Sequence, residues 1–139
     1  MQVGIFKKNG SAYDPIQTIS EGFDPRGLAL SADKQELAYC RESLKVYRYN
    51  GSQFVLNQTI ALEFRCTEVN FMNRLLEVHG MSSEISFYGL NGSGYEPKFA
   101  ISTNESQIME LSIFDDGKSF TFGGDSESLS TYTWTNASF

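Results

Sequence analysis

An Asn-Gly-Ser tripeptide recurs at a fixed interval along the chain. Its three copies begin at Asn9, Asn50 and Asn91, so that successive copies stand 41 residues apart. Each copy follows a run rich in apolar and aromatic residues, and an aromatic residue follows it. A weaker fourth copy fills 129–139 and begins 44 residues after the equivalent position 85. The chain is therefore built from one structural unit that is repeated about three times.

Each interval between these tripeptides contains four short strand-like runs separated by turn residues. The runs cover 13–19, 27–31, 37–40 and 44–49, then 54–60, 67–72, 76–81 and 85–90, then 95–101, 107–114, 119–123 and 129–134. A period of about 40 to 45 residues with four strands per unit is typical of a β-propeller blade. The sequence predicts an all-β partial β-propeller of about three blades, each with four antiparallel strands, as a single domain over 1–139. Its parts are an orphan strand over 1–10 and repeats over about 13–50, 54–91 and 95–135.

Apolar positions superpose from one repeat to the next under a nearly constant shift. The matched sets are Leu28, Val69 and Leu111; Leu30, Phe71 and Ile113; and Leu37, Val78 and Phe120. Asn-Gly accepts positive φ at both central positions of a type I′ hairpin turn, so we expect that turn at each tripeptide.

The strand count predicts an incomplete ring. Numbered outward from the propeller axis, the chain contains four third strands but only three each of the first, second and fourth. Propellers close with about four to eight blades. We therefore expect either a piece of a longer protein or a ring completed by a partner, such as a second copy in a homodimer. Of the two, the fragment is the favoured interpretation.

The stretch from Phe114 to Trp134 resembles the second half of a WD40 repeat. It has an Asp-Gly turn at 116–117, Gly-Gly-Asp at 123–125 and a tryptophan at the end of the next strand. It departs from that pattern because no Gly-His dipeptide precedes a first strand and Thr135 follows Trp134. The resemblance implies a non-enzymatic scaffold for protein–protein contacts.

The net charge of the chain limits the classes of molecule that we expect it to bind. A net charge of −6 and a pI near 4.7 argue against nucleic acid and against a polybasic membrane contact, since both need clustered Lys and Arg. There is no apolar run of about 18 residues and no secretory signal pattern at the start of the sequence. We therefore expect a cytoplasmic protein that binds other proteins.

The residues with reactive side chains do not form a recognisable catalytic or metal-binding motif. Cys40 and Cys66 are expected to be reduced, buried residues, with a disulfide or a reactive thiol as the alternatives. His79 lacks ligand-spaced partners in the sequence, so we expect it to pack or hydrogen-bond within a blade. Asp115 and Asp116 precede a glycine and predict a turn rather than a calcium loop. We expect no catalytic residue, metal or cofactor.

A binding face is expected on the rim that carries the loops between blades and between the second and third strands. Its candidate residues are Phe23, Arg26, Arg41, Phe64, Arg65, Glu105 and Asp125. Phe23 and Phe64 stand 41 residues apart and hold equivalent places in adjacent blades. Exposed aromatics flanked by arginines suit a protein-binding hot spot. The alternative is that both phenylalanines pack between blades.

Six Asn-x-Ser/Thr sequons leave a second class of function open. They stand at Asn9, Asn50, Asn57, Asn91, Asn104 and Asn136. Turn chemistry explains most of them, because Asn and Ser are favoured in tight turns. If the protein were secreted, they would instead mark a glycosylated, ligand-binding propeller. A less favoured alternative is a propeller enzyme whose active site lies in blades that this sequence does not contain.

Overall fold

A computed structural model describes residues 2–20, 24–114, 116–126 and 128–133, and these form thirteen β-strands. The strands are β1 (Gln2–Asn9), β2 (Ala12–Ser20), β3 (Gly27–Leu30), β4 (Glu36–Cys40), β5 (Ser43–Tyr49), β6 (Phe54–Ala61), β7 (Cys66–Met72), β8 (Leu75–Gly80), β9 (Glu84–Asn91), β10 (Gly94–Ser102), β11 (Ile108–Ile113), β12 (Ser119–Gly124) and β13 (Leu129–Thr133). The predicted all-β class is confirmed.

The strands form four antiparallel sheets in chain order. Sheet I contains β1 and β2, sheet II contains β3 to β6, sheet III contains β7 to β10, and sheet IV contains β11 to β13. Within each sheet, consecutive strands are neighbours. Each sequence repeat therefore supplies the last strand of one sheet and the first three strands of the next. Among the described residues, no strand pairing joins sheet I to sheet IV, and the sheets are not closed into a ring.

Three apolar layers hold the sheets face to face, one between each pair of neighbours. The layer between sheets I and II contains Val3, Ile19, Leu37, Tyr39, Tyr47 and Phe54. The layer between sheets II and III contains Ala38, Cys40, Leu44, Val46, Cys66, Val69, Leu76, Val78, Tyr88 and Tyr95. The layer between sheets III and IV contains Met72, Leu75, Ile85, Phe87, Ile108, Leu111, Phe120 and Phe122. Because strand side chains alternate between faces, sheets II and III are apolar on both.

The tripeptide hairpins differ from the expected type I′ turns. Asn9 pairs with Ala12, so the central turn residues are Gly10 and Ser11, and Gly10 has φ of 62°. Outside glycine, only Lys34 and Asn73 have positive φ among the described residues, so Ser11 does not share it. Positive φ at the first central residue alone is the pattern of a type II′ turn. The type I′ prediction is wrong because the asparagine lies one position too early.

The middle hairpin uses a longer loop for the same tripeptide. Tyr49 pairs with Phe54, which leaves four residues, 50–53, outside the ladder. The side-chain oxygen of Asn50 accepts hydrogen bonds from the backbone N–H groups of Ser52 and Gln53, each at 3.0 Å. Asparagine therefore caps this turn with its side chain, as Asn and Asp commonly do.

One of the predicted superpositions is also wrong. Leu37 pairs with Leu30 and Phe120 pairs with Ile113, but the residue of β8 that pairs with Phe71 is Leu76 rather than Val78. The reason is the β7–β8 turn, which has only two residues, 73–74, whereas the turns after β3 and β11 have five each. A shift of two residues keeps the side chain on the same face, so Leu76 and Val78 both lie in one layer.

The cysteines are oxidised, which corrects the expectation of reduced thiols. Cys40 at the end of β4 and Cys66 at the start of β7 form a disulfide that crosses the layer between sheets II and III. Their Cα atoms are 5.7 Å apart. The two sequence positions lie in different repeats, so only the stacking of sheet III on sheet II brings them together.

A glutamine on the last strand of one sheet clamps the last strand of the next. The amide of Gln17 donates to the carbonyl oxygen of Phe54 and accepts from its N–H, both at 2.7 Å. Gln58 makes the same two bonds, also at 2.7 Å, with Tyr95. Both the glutamines and their partners stand 41 residues apart. The outer edges of sheets I to III are therefore joined by one repeated polar device.

We expect Gln58→Ala to lower the free energy of unfolding by about 1 to 2 kcal/mol, because two hydrogen bonds to the backbone of Tyr95 are lost. Urea unfolding, followed by far-UV circular dichroism as a measure of β-structure, gives the difference in stability. The matched control is Gln53→Ala, an exposed glutamine in the loop before β6, which should change stability by less than about 0.5 kcal/mol. Equal unfolding midpoints for Gln58→Ala and wild type would contradict the clamp.

Candidate functional site

Loops at one end of the sheets are joined by hydrogen bonds into a continuous band, which we call the loop rim. It consists of 24–26, 41–42, 62–65, 81–83, 103–107, 125–126 and 128. The N–H of Cys66 donates to the carbonyl of Arg41 at 2.6 Å, and that of Met81 donates to the carbonyl of Arg65 at 3.0 Å. Thr103 continues the band by donating to the carbonyl of Ser83 at 2.8 Å. The band extends from sheet II to sheet IV.

The centre of the loop rim groups three of the sequence-predicted site residues. Arg65 is exposed and lies 3.9 Å from the carboxylate of Glu42, which is also exposed. Phe64 is half-buried and packs against the apolar layer between sheets II and III, so its ring serves inter-sheet packing. Arg41 is half-buried, and its Nε has no hydrogen-bond partner among the described residues. Met81, beside them, is exposed by 55%.

The close contact between these loops depends on Gly80. A Cβ atom at Gly80 would collide with the carbonyl oxygen of Arg65 and with the backbone of Thr67. Any larger residue would therefore push apart the loops that present Arg65 and Met81. The following N–H, that of Met81, makes the hydrogen bond to Arg65.

Arg26 lines a pocket formed where the first strands of sheets II, III and IV begin. The pocket has a volume of about 390 Å³ and is lined by Arg26, Gly27, Leu28, Thr67, Glu68, Met109 and Glu110. Arg26 thus shares a cavity with two carboxylates that the sequence did not single out. This inner pocket lies beside the loop rim because each of its strands starts there.

Glu105 and Asp125 hold the last two loops of the rim together. The carboxylate of Glu105 is buried and accepts a hydrogen bond from the N–H of Ser126 at 2.7 Å. Asp125 accepts from the N–H of Ser106 at 2.9 Å and from its hydroxyl. Hydrogen bonds from Ser106 lower the pKa of Asp125 to about 2. Both acids thus fix loop structure, and the seventh predicted residue, Phe23, lies outside the described residues.

His79 is buried and hydrogen-bonded within its own sheet, as expected from the sequence. Its Nδ1 lies 2.7 Å from Glu77 Oε1, and its Nε2 lies 2.8 Å from Glu68 Oε2. The contact with Glu68 is an ion pair but not a hydrogen bond, since Nε2 has no acceptor in hydrogen-bonding geometry among the described residues. The other oxygen of Glu77 accepts from Asn70 Nδ2 at 3.0 Å. A cation between two carboxylates is thus enclosed behind the inner pocket.

The carboxylates keep the imidazole charged in spite of its burial. Burial alone lowers the pKa of His79, but the close contacts of its two ring nitrogens with the carboxylates of Glu68 and Glu77 outweigh it and raise the pKa to about 9. At neutral pH the site therefore holds an imidazolium. Of its three members, only Glu68 has a partly exposed side chain, and it lines the inner pocket.

The histidine cluster and the disulfide occupy equivalent positions in neighbouring layers. Cys40 pairs with Gly27 across β3 and β4, and His79 pairs with Glu68 across β7 and β8. Leu76 and Val78 face sheet II, so Glu77 and His79 face sheet IV. Where one layer has a covalent bond, the next layer has a buried ion pair.

Sequence reasoning missed Glu68 and Glu77 as partners of His79, and Asn70 as a hydrogen-bond donor to Glu77. A signal was present, because Glu68 and Asn70 on one strand and Glu77 and His79 on the next are each two residues apart. That spacing places the two side chains of each strand on one face of the sheet, and the observed pairing brings both pairs to the same face. What the sequence did not give was the length of the intervening turn, which sets the pairing between the two strands.

Comparison with models of known protein families finds no match, and comparison with curated protein sequences finds none either. No helix among the described residues is long and apolar enough to cross a membrane. The part of the chain that the structure describes has no group of three or more His, Cys, Asp or Glu residues arranged to hold a metal ion.

We expect the stability of the protein to fall between pH 6.5 and 9. Because the folded-state pKa of His79 lies above its ordinary value of 6.5, its contribution is fully present below pH 6.5 and is lost as the pH rises through about 9. The total loss should be on the order of 3 kcal/mol, from a shift of roughly 2.5 pH units at 1.36 kcal/mol each. Urea unfolding across this pH range measures it.

His79 is the sole histidine, so an NMR titration of the imidazole reports this site alone. Glu68→Gln should move its pKa downward and flatten the pH dependence of stability. Glu84→Gln, an exposed glutamate on β9, is the matched control and should leave both unchanged. A midpoint near 6.5 in the wild-type protein would contradict the buried ion pair.

Proposed function

We propose that this chain is a partial β-propeller, with repeats similar to those of WD40 proteins, that serves as a non-enzymatic scaffold for protein–protein contacts. The observation that carries the functional part is the loop rim, a hydrogen-bonded band that presents Arg65 and Met81 side by side. Its partner is another protein, whether a separate subunit or the remaining blades of a larger assembly.

Three features of the sheets support the propeller. Sheets II and III each have four antiparallel strands in sequential order, which is the composition of a propeller blade. The sheets pack face to face with apolar residues on both sides. The outer strand of each of the first three sheets has a bulge opposite the preceding strand, at Ile16, Asn57 and Lys98, again 41 residues apart. Such regularity in detail indicates one repeated packing environment.

The loop rim has the chemistry of a protein-binding surface. Arginine, methionine and aromatic residues are enriched in interfaces, and arginine is frequent among hot spots. The exposed ion pair between Arg65 and Glu42 is weak in water, so Arg65 remains available for a partner's carboxylate. The disulfide and the inter-loop hydrogen bonds hold the surface in place before binding, which lowers the entropic cost of association.

The test begins with proteins captured by the immobilised wild-type chain and identified by mass spectrometry, followed by binding measurements with each purified partner. Arg65→Glu and Met81→Glu should each weaken binding about tenfold or more, as expected for hot-spot positions. Arg74→Glu, the same charge reversal in the β7–β8 turn at the opposite end, should have no effect. Equal losses in all three variants, or none, would contradict a binding role for the rim.

The disulfide favours a second candidate, a secreted glycosylated propeller that binds a ligand. Disulfides form and persist in secreted and other oxidised compartments and are rare in the cytosol. The scaffold proposal assumes the cytoplasmic location expected from the sequence. The oxidation state of Cys40 and Cys66 in the cell therefore distinguishes the cytoplasmic scaffold from the secreted propeller. Of the six sequon asparagines, the five that the structure describes are exposed: Asn9, Asn50, Asn57, Asn91 and Asn104.

We expect reduction of the disulfide to lower the free energy of unfolding by roughly 3 to 4 kcal/mol, since it closes a loop with a sequence separation of 26. Denaturant unfolding with and without a phosphine reductant measures the change. The double variant Cys40→Ala and Cys66→Ala should unfold at the reduced protein's midpoint and ignore the reductant. Complete alkylation of both thiols in freshly lysed source cells, without prior reduction, would count against the secreted candidate.

A further inference from the structure

The outer edge of sheet II is the strand β6, which is paired on one side only, with β5. Sheet II has apolar layers on both faces, toward sheet I and toward sheet III. Its outer edge therefore does not depend on the sheets at the two ends of the stack. The edge strands β2 of sheet I and β10 of sheet III hold the same place in their repeats, so they serve as internal comparisons.

The strand β6 lacks two features that β2 and β10 share. Both of those strands carry an acidic residue followed by proline, whereas β6 has two apolar residues at the same positions. No charged residue, proline or glycine occurs among the 8 residues of β6. Charge and proline on an edge strand are devices by which proteins prevent edge-to-edge pairing. The equivalent pairs, 41 residues apart, are Asp14 and Pro15, Val55 and Leu56, and Glu96 and Pro97.

The backbone N–H of Leu56 points away from the sheet. The side chain of Gln17, in sheet I, binds both the N–H and the carbonyl oxygen of Phe54, so these groups point away from β5. Because backbone groups alternate in direction along an antiparallel strand, those of Leu56, two residues later, point outward as well. Among the described residues, no loop backbone or side chain forms a hydrogen bond with them. At the equivalent place in β10, Pro97 has no N–H to offer.

The side chains beside this N–H are apolar and exposed, Val55 by 44% and Leu56 by 47%. A bulge at Asn57 interrupts the pairing of β6 with β5, but β2 and β10 have the same bulge. The bulge therefore does not replace the missing proline and charge. An uncharged strand with a free edge and exposed apolar side chains is a surface for strand addition.

We propose that β6 is a self-association surface, at which two copies of the chain pair antiparallel, edge to edge, through their β6 strands. The pairing joins two copies of sheet II into one continuous sheet. It differs from the ring completion expected from the sequence, because it leaves both ends of the stack as they are. It does not rest on the function proposed for the loop rim.

A second copy is the partner that the chemistry of β6 fits. Two antiparallel strands related by a two-fold axis present the same set of residues to each other. That arrangement is unfavourable for a strand with charges of one sign, because like charges then meet, and β6 has none. At a net charge of −6, two copies repel each other, so a neutral strand is where they approach at the lowest electrostatic cost.

The glutamine clamp limits the segment that can pair. Gln17 already occupies the outward groups of Phe54, so a second strand pairs from Leu56 onward. The available segment extends to Ala61, where β6 ends. It has the length of a common β-strand, so it is long enough to hold a partner strand in register.

Sedimentation equilibrium of the full-length chain tests the proposal, at concentrations up to about 100 µM, where weak contacts are populated. The wild type should dimerise reversibly. Leu56→Pro removes the outward N–H and should weaken the dimer about tenfold or more. Val55→Glu brings two like charges to the interface and should weaken it as well. Both variants copy residues that β10 carries at the same positions, so they should keep the wild-type circular dichroism spectrum.

Two control variants locate the contact. Leu28→Asp alters an exposed apolar residue on β3, and Arg65→Glu alters the loop rim, so both should dimerise like the wild type. A wild-type chain that stays monomeric would overturn the proposal. A dimer that Leu56→Pro leaves intact, or one that Leu28→Asp abolishes, would overturn its assignment to β6.

Hydrogen exchange of the wild-type protein gives a second measurement that needs no variant. The amide of Leu56 should become protected as the concentration rises through the dimerisation range, because the partner's carbonyl oxygen then accepts its hydrogen bond. The amide of Phe54, already bound by Gln17, should not change. Dimerisation without added protection at Leu56 would contradict edge-to-edge pairing.

Discussion

Burial of both faces of a sheet is the constraint on which the structure depends. Leu76 and Val78 point toward sheet II, while Leu75 and Phe87 point toward sheet IV, so sheet III is stable in water only between two neighbours. The disulfide and the glutamine clamps join adjacent sheets and add directionality to an attraction that apolar packing alone does not orient. The buried histidine and its two glutamates instead connect strands within sheet III.

The two outermost described sheets, I and IV, each have one face without a neighbouring described sheet. On that face of sheet IV, the hydroxyls of Thr121 and Thr131 lie 3.0 Å apart and Leu129 is exposed by 79%. At the near end, sheet I presents Phe6 and Tyr13, exposed by 59% and 65%, although the equivalent aromatics Tyr47 and Phe54 are buried in sheet II. Apolar side chains are therefore exposed on both outermost sheets of the described stack.

The sequence predicted the strands well because repetition gave each of them independent support. The runs at 44–49 and 85–90 fall within β5 and β9, and alternation fixed which residues face a layer. The geometry of the turns was harder to predict than the position of the strands. The short turn at Asn73 and Arg74 moved the register of β8 by two residues, and no periodic pattern signals such a deletion.

The candidate site was less accessible to sequence reasoning, since its parts come together through stacking. Cys40 and Cys66 belong to different repeats, and their pairing follows from the offset between sheets rather than from their spacing. Glu68 reaches His79 through a strand register that depended on the same short turn. Of the predicted rim residues, Arg41, Phe64 and Arg65 meet, whereas Arg26 turns into a pocket and Glu105 and Asp125 hold loops.

The equivalence of Cys40 and His79 gives neighbouring layers different chemical sensitivities. An electron donor acts on the layer between sheets II and III, where it opens a covalent link. A base acts inside sheet III, where it discharges an enclosed cation and leaves two carboxylates without their counter-charge. Reduction therefore releases a link between two sheets, whereas deprotonation weakens the pairing of two strands within one sheet.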